Sequence, residues 1–415
     1  MIKQIESICK EKRTFTKAND IKMKHLWKLS LLLICLAFSC NEKPVPEPEP
    51  NPQPVDNALY VGGDISVLQS YEDNGVAYLD QNGTRIPDVL DYMAGEAVGW
   101  NAQRVRLFVN PSQKDPDGNK DAQVCQNLDY VVRLCKRIKA KGFALLLDFH
   151  YSDTWADPSN QWIPKEWASL SDAQLQTKVY EYTKECLQRL VAEGAAPDFI
   201  QPGNEISYGM LWSAEVNRSS NANRCYSNSP EANWTRFINL LDQAVKACRE
   251  VCPKAKIVIH TERAGQPEVL KGIYTRLAKV DYDVIGLSYY PFWHNSLQVL
   301  SQSLNTLESS FPDKKVQIVE TAYYYQWQPK VGGGIDYDFS SKWPVSPQGQ
   351  AAFAKDLIDE LKKHGNVNGL YWWFPEENGN GPDSKVLSYW VNRGLWDDNS
   401  HKALPALYVL KDFVR

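Results

Sequence analysis

The chain has 415 residues, with 46 Lys and Arg against 50 Asp and Glu, a net charge of −4. That near-balance, with no basic block, argues against a nucleic-acid partner. The length allows one large domain or two ordinary ones, and 14 tryptophans with 21 tyrosines invite a search for an aromatic-lined cleft beyond the core.

The first segment reads as an export leader. Residues 1–22 are polar and charged and serve no signal peptide, so an upstream extension with Met23 as the true start is expected. Residues 23–39 carry Lys24, His25 and Lys28 ahead of the apolar run Leu29 to Phe38. That run is far shorter than the roughly 20 residues needed to span a bilayer. Ser39-Cys40 follows at once, the pattern of a bacterial lipoprotein whose Cys40 takes lipid and becomes the mature N-terminus; a plain secretory signal is the alternative. Residues 40–56 place proline at every second position from Pro44 to Pro54, an extended tether. We therefore expect an exported protein, lipid-anchored at the cell envelope or surface, with the outer membrane as the host. Six of the nine cysteines lie beyond this leader, and none shows zinc-ligand spacing.

From residue 57 to 415 the pattern alternates. Strands are predicted over 59–64, 104–109, 143–149, 199–205, 256–260, 283–289, 316–320 and 369–374, each followed by an amphipathic helical pattern. The helix after the fourth strand is predicted to open on Ser229 as cap with Pro230 in its first turn. Apolar strands alternating with helices imply a parallel sheet covered on both faces, and eight units suit a single (β/α)8 TIM barrel with long loops at the carboxyl face. An open doubly wound sheet is the runner-up, but no glycine-rich phosphate loop follows the first strand.

In such a barrel chemistry sits at the strands' carboxyl ends. These ends deliver Asp64, Arg106, His150, Asn204, Glu205, His260, Glu262, Tyr289, Glu320 and Trp373. No Ser–His–Asp elbow and no HExxH occurs. Two carboxylates among Arg, His, Asn, Tyr and Trp suit glycoside hydrolysis, which needs one carboxylic acid to protonate the leaving oxygen and one carboxylate to attack. Glu205 on strand 4 would be the acid/base and Glu320 on strand 7 the nucleophile, about 5 Å apart as in retaining enzymes. Glu320 needs donors to stay ionised, for which Tyr289 and Arg106 are the candidates. Glu205 needs a raised proton affinity, which the charge of Glu320 would supply. Asn204 would offer its amide to a sugar hydroxyl, or merely form the turn after Gly203. His150 would donate to the sugar, or merely hold the barrel rim. Trp155 and Trp373, then Trp293 and Trp327, are the stacking candidates, each with core packing as the alternative.

Several motifs resemble glycoside hydrolase family 53, the arabinogalactan endo-β-1,4-galactanases. The most specific is Leu147-Asp-Phe-His-Tyr-Ser-Asp-Thr-Trp-Ala-Asp-Pro158, similar to that family's strand-3 signature. Arg106 with Val109-Asn-Pro111, Gly203-Asn-Glu205, Ser288-Tyr-Tyr-Pro291, Glu320-Thr321 and Tyr371 to Pro375 resemble its other strand-end motifs. The resemblance implies a retaining barrel that hydrolyses β-1,4-galactan side chains of pectin, with polysaccharide or galacto-oligosaccharide as partner; a monomer is expected. It implies no cofactor for the chemistry. Some bacterial members hold a structural calcium, for which Asp336 and Asp338 with Asn378, Asn380 or Asp383 could supply oxygens, although Phe339-Ser-Ser-Lys departs from the pattern. Phe374 stands where the family leads one to expect a glutamate. β-Mannan or cellulose hydrolysis by the same layout, and non-catalytic glycan capture at the surface, are the competing functions.

Overall fold

The computed structural model describes residues 58–214, 222–381 and 390–415. The leader, Cys40 and the proline-rich tether lie outside the described residues. Eight parallel strands close into a barrel in sequence order: β1 (Tyr60–Asp64), β2 (Ala102–Leu107), β3 (Ala144–Phe149), β4 (Phe199–Pro202), β5 (Lys256–Thr261), β6 (Val284–Ser288), β7 (Lys315–Thr321) and β8 (Val367–Trp373). The (β/α)8 expectation holds, and the strands fall within a few residues of those predicted. Among the described residues no helix is long and apolar enough to cross a membrane.

The two-residue period of a strand explains the interior. Ala102, Leu146, Phe199, Val258, Val284 and Tyr371 form a buried apolar cluster separate from the main core. Two residues further along each strand stand Arg104, Asp148, Gln201, His260, Gly286 and Trp373. The barrel thus has an apolar floor under a polar layer. The residues of opposite parity, such as Val105, Leu107, Leu145, Leu147, Ile257, Ile259, Ile285 and Leu287, join the main core with the surrounding helices.

The helices are locally encoded. The helix Asp172–Ala192 opens on a capping box, with Ser171 accepting from the Gln174 N–H and the Gln174 side chain accepting from the Ser171 N–H. The helix Leu128–Ala140 is capped by Asn127, which accepts from the Tyr130 N–H. It buries Tyr130, Val131, Leu134, Cys135 and Ile138, the spacing of one helical face. The helix Glu231–Val251 starts one residue later than predicted. Its Ser229 hydroxyl is spent on the Arg224 carbonyl and the Tyr226 N–H instead of capping. All six cysteines of the described residues are free.

Candidate active site

One guanidinium organises the polar layer. Arg104 Nη1 lies 2.8 Å from Asp64 Oδ2 and 3.0 Å from Glu320 Oε1. Its Nη2 lies 2.8 Å from both Asp148 Oδ2 and Asn204 Oδ1. A single buried cation therefore joins β1, β2, β3, β7 and the turn after β4. Burial alone would favour neutral Arg104, but Asp148, Glu320 and Asp64 outweigh it and raise its proton affinity. Burial likewise works against ionised Asp148, yet Arg104 and His150 leave its carboxyl below the ordinary range.

Sequence placed Glu320 correctly at a strand end, but strict alternation would have turned it away. Val319, its neighbour, belongs to the barrel's inner apolar cluster. The β7–β8 ladder shifts register between Ile318 and Thr321, and Ser288 of β6 pairs with Glu320. Such an irregularity re-aims a side chain. Glu320 then meets Arg104 and accepts a hydrogen bond from the Tyr290 hydroxyl at 3.0 Å. Burial raises its pKa most, Arg104 opposes that rise, and the balance falls at about 7.

Glu205 follows Gly203, whose φ is +106°, and itself sits at φ +49°. That left-handed conformation is costly for a glutamate and marks a position held by its surroundings. The Glu205 N–H at 3.3 Å and the Gln201 amide at 3.1 Å both point at His260 Nδ1, and the Ser288 hydroxyl proton is spent on Glu205, which together place the imidazole proton on Nε2, although Asn204 Oδ1 also lies 3.0 Å from Nδ1. His260 Nε2–H donates to Ser288 Oγ at 2.9 Å, and the Ser288 hydroxyl donates to Glu205 Oε1 at 2.6 Å. His260 is kept neutral, chiefly by burial and then by Arg104. Burial, then the charges of Glu320 and Glu262, push the Glu205 carboxyl well above its ordinary range; Ser288 opposes them.

Glu205 and Glu320 line one cleft of about 690 Å³, together with His150, Trp155, Asn204, Glu262, Trp293, Trp373 and Trp390. The structure brings together most of the residues expected there, with three differences. The donors to Glu320 are Arg104 and Tyr290, not Arg106 and Tyr289. Arg106 turns to Asp64 at 2.9 Å and lies over the Trp155 ring at 4.4 Å. The Tyr289 hydroxyl donates to the Asn295 carbonyl, on the side away from the cleft. Parity was the available clue, because Ser288 faces the interior and only Tyr290 shares its face. Trp327 is 40% exposed and does not line the cleft. Phe374, in place of the expected glutamate, lies under Arg106 at 5.5 Å.

His150 and Asn204 do line the cleft, but much of their hydrogen bonding is already used. His150 Nε2 lies 3.1 Å from Asp148, and its Nδ1 accepts from the Ala156 N–H. The Asn204 amide donates to the Ala156 carbonyl at 2.8 Å. Sequence reasoning missed Arg104, Asp148, Ser288, Tyr290 and Trp390. The first two sit mid-strand, where an inner layer of charge is visible only once the barrel closes. The Trp390 ring centroid lies 4.2 Å from that of Trp373.

Asp338 Oδ1 accepts from Gln328 and from the Ser340 N–H. The Asn380 amide faces the His401 ring, and Asp383 lies outside the described residues. Among the described residues no group of three or more His, Cys, Asp or Glu is arranged to hold a metal ion.

Comparison with known proteins adds an independent line. The family model for glycosyl hydrolase family 53 matches residues 60–410. An uncharacterized protein of Niallia circulans is 36% identical over 331 residues, 77% of this chain and 84% of its own length. An endo-β-1,4-galactanase of Bacillus subtilis is 32% identical over 343 residues, 81% of this chain and 73% of its own. Among solved structures, the family 53 catalytic domain of Ignisphaera aggregans superposes with a TM-score of 0.72 at 33% identity, covering 87% of this chain and 98% of that one.

Proposed function

The chain belongs to glycosyl hydrolase family 53, and we propose that it hydrolyses internal β-1,4-galactosidic bonds of galactan and arabinogalactan side chains of pectin, with retention of configuration. The observation that carries this reading is the unequal pair of carboxyls in the cleft. Glu320 has Arg104 and Tyr290 to favour its charged form. Glu205 has burial and two neighbouring carboxylates to favour its neutral form. Environments that push two acids apart assign the roles.

In this mechanism Glu320 attacks the anomeric carbon while Glu205 protonates the departing oxygen, giving a glycosyl-enzyme ester. Glu205, now ionised, takes a proton from water, which attacks the same carbon and releases Glu320. Trp373, Trp390, Trp155 and Trp293 supply flat apolar faces on which galactose rings can rest. The Bacillus subtilis relative, by its name an endo-β-1,4-galactanase, supports the choice of substrate. The leader from Met23 to Cys40 supports export and lipid anchoring at Cys40, with the enzyme held at the cell envelope.

The test is to incubate the domain from residue 57 onward with linear β-1,4-galactan, mannan and carboxymethylcellulose, beside Glu320→Ala. Galacto-oligosaccharides from galactan alone, retained anomeric configuration in early products, and no release by the variant are expected. Release from mannan or cellulose instead would overturn the substrate. Galactan bound without cleavage would make the chain a capture protein.

A further inference from the structure

A third carboxyl stands beside the two proposed catalytic ones, on Glu262 just past β5. It lines the same cleft and is 7% exposed. Its Oε1 accepts the hydroxyl of Ser207, two residues beyond Glu205, and lies 2.9 Å from Arg263 Nε. Arg263 Nε also reaches Ser207 Oγ at 3.2 Å. The Glu262 Oε2 is buried and has no hydrogen-bond partner among the described residues. The neighbouring His260 carbonyl accepts the Ile206 N–H at 3.0 Å, and His260 Nδ1 accepts the Glu205 N–H. The end of β5 therefore grips residues 205, 206 and 207 in turn, across the left-handed Glu205 itself.

We propose that Glu262 is a positioning residue for the proton donor: through Ser207 it holds the Glu205 turn, and through its own carboxyl it keeps the proton on the Glu205 side of the cleft. This rests on the reading of Glu205 as the acid. The groups facing Glu205 are Glu320 from β7, Glu262 and neutral His260 from β5, Ser288 from β6 and Asp157 from the loop after β3. Those facing Glu262 are Glu205, Arg263, Ser207 and Asp157, with His294 lining the same cleft. Among the described residues Arg263 offsets the negative charge on this side, and it does so at Oε1. Ionising Glu262 with Oε2 unpartnered is unfavourable, so Glu262 and Glu205 compete for protons, and loss of one proton strengthens retention of the other.

The sign follows. Once Glu262 ionises on the alkaline side, its charge disfavours ionised Glu205, and a glutamine in its place never acquires that charge. The Glu205 pKa then falls, and the alkaline limb of kcat/KM on galactan moves to lower pH. KM stays within about twofold. A galacto-oligosaccharide bearing a dinitrophenyl leaving group needs no proton from Glu205. Glu262→Gln therefore slows galactan cleavage more than aryl release, and Ser207→Ala does the same by loosening the turn. An unmoved alkaline limb in a folded Glu262→Gln protein would overturn the proposal. Should that variant not fold, Ser207→Ala decides alone: equal losses on both substrates would mean a merely structural contact. Glu205→Gln separates the two readings. If it cleaves galactan normally, the assignment of the acid fails; if it is inactive on galactan while Glu262→Gln keeps the wild-type pH profile, only the role of Glu262 fails.

Discussion

At the scale of single residues, the site turns on which neighbours each carboxyl has. Glu320→Gln removes the proposed nucleophile, and galactan turnover should fall by at least about a thousandfold. The same change removes a charge that raises Glu205, so the Glu205 carboxyl should titrate at lower pH, read by carbon NMR of labelled glutamate. Tyr290→Phe removes a hydrogen bond to ionised Glu320 without touching the cation beside it. Hydrogen bonds to charged groups contribute about 1.5–3 kcal/mol, so kcat should fall about tenfold or more. With its charged form less favoured, Glu320 titrates higher, and the acidic limb of the pH profile should move up from about 7. An acidic limb that moves down in Tyr290→Phe would contradict the assignment. These residue identities were only partly readable in the chain. Glu205 and Glu320 stand at the ends of apolar runs, which is visible; Tyr290 over Tyr289 required counting strand parity from Ser288, which a bare motif does not reveal.

At the scale of elements, two features separate stability from activity. Ser171 caps the helix Asp172–Ala192 far from the cleft. Ser171→Ala should cost about 1 kcal/mol of stability and leave galactan turnover unchanged, checked by denaturant unfolding beside an assay. Gly62 of β1 is different. A Cβ there would lie 1.8 Å from the Ala102 carbonyl oxygen, where no side chain can enter. Gly62→Ala must push β1 from β2, and β1 carries Asp64 into the Arg104 network. Both stability and activity should drop together. The helix caps and apolar strand cores were legible because they depend on neighbours within a few residues. The register shift in β7 that turns Glu320 inward was not, because it arises from pairing with β6 and β8.

At the scale of the whole molecule, burial of titratable groups links pH to folding. Glu205, Glu262, Glu376 and Glu377 all have raised proton affinity in the folded protein, with burial the largest cause. Each binds more protons folded than unfolded above about pH 4.5, so each contributes stability that is lost as pH rises through its folded pKa. Asp148 and His260 are shifted down, so their contributions are lost as pH falls. The melting temperature should therefore peak on the acid side of neutrality. Glu376→Gln, outside the cleft lining, should flatten the alkaline decline; an unchanged slope would show that Glu376 does not titrate differently on folding. By itself the sequence determined the barrel, because eight apolar strand runs and eight amphipathic helices are local patterns that can close in few ways. It also determined the two glutamates at strand ends and the aromatic supply of the loops. Only the tertiary structure decided that Arg104, mid-strand and far in sequence from its partners, binds Asp64, Asp148, Asn204 and Glu320 at once. It alone decided that Arg106 serves Asp64 and Trp155 instead. The physical reason is that a charge in the barrel interior is tolerable only when opposite charges neutralise it, and its partners come from strands that meet only when the sheet closes.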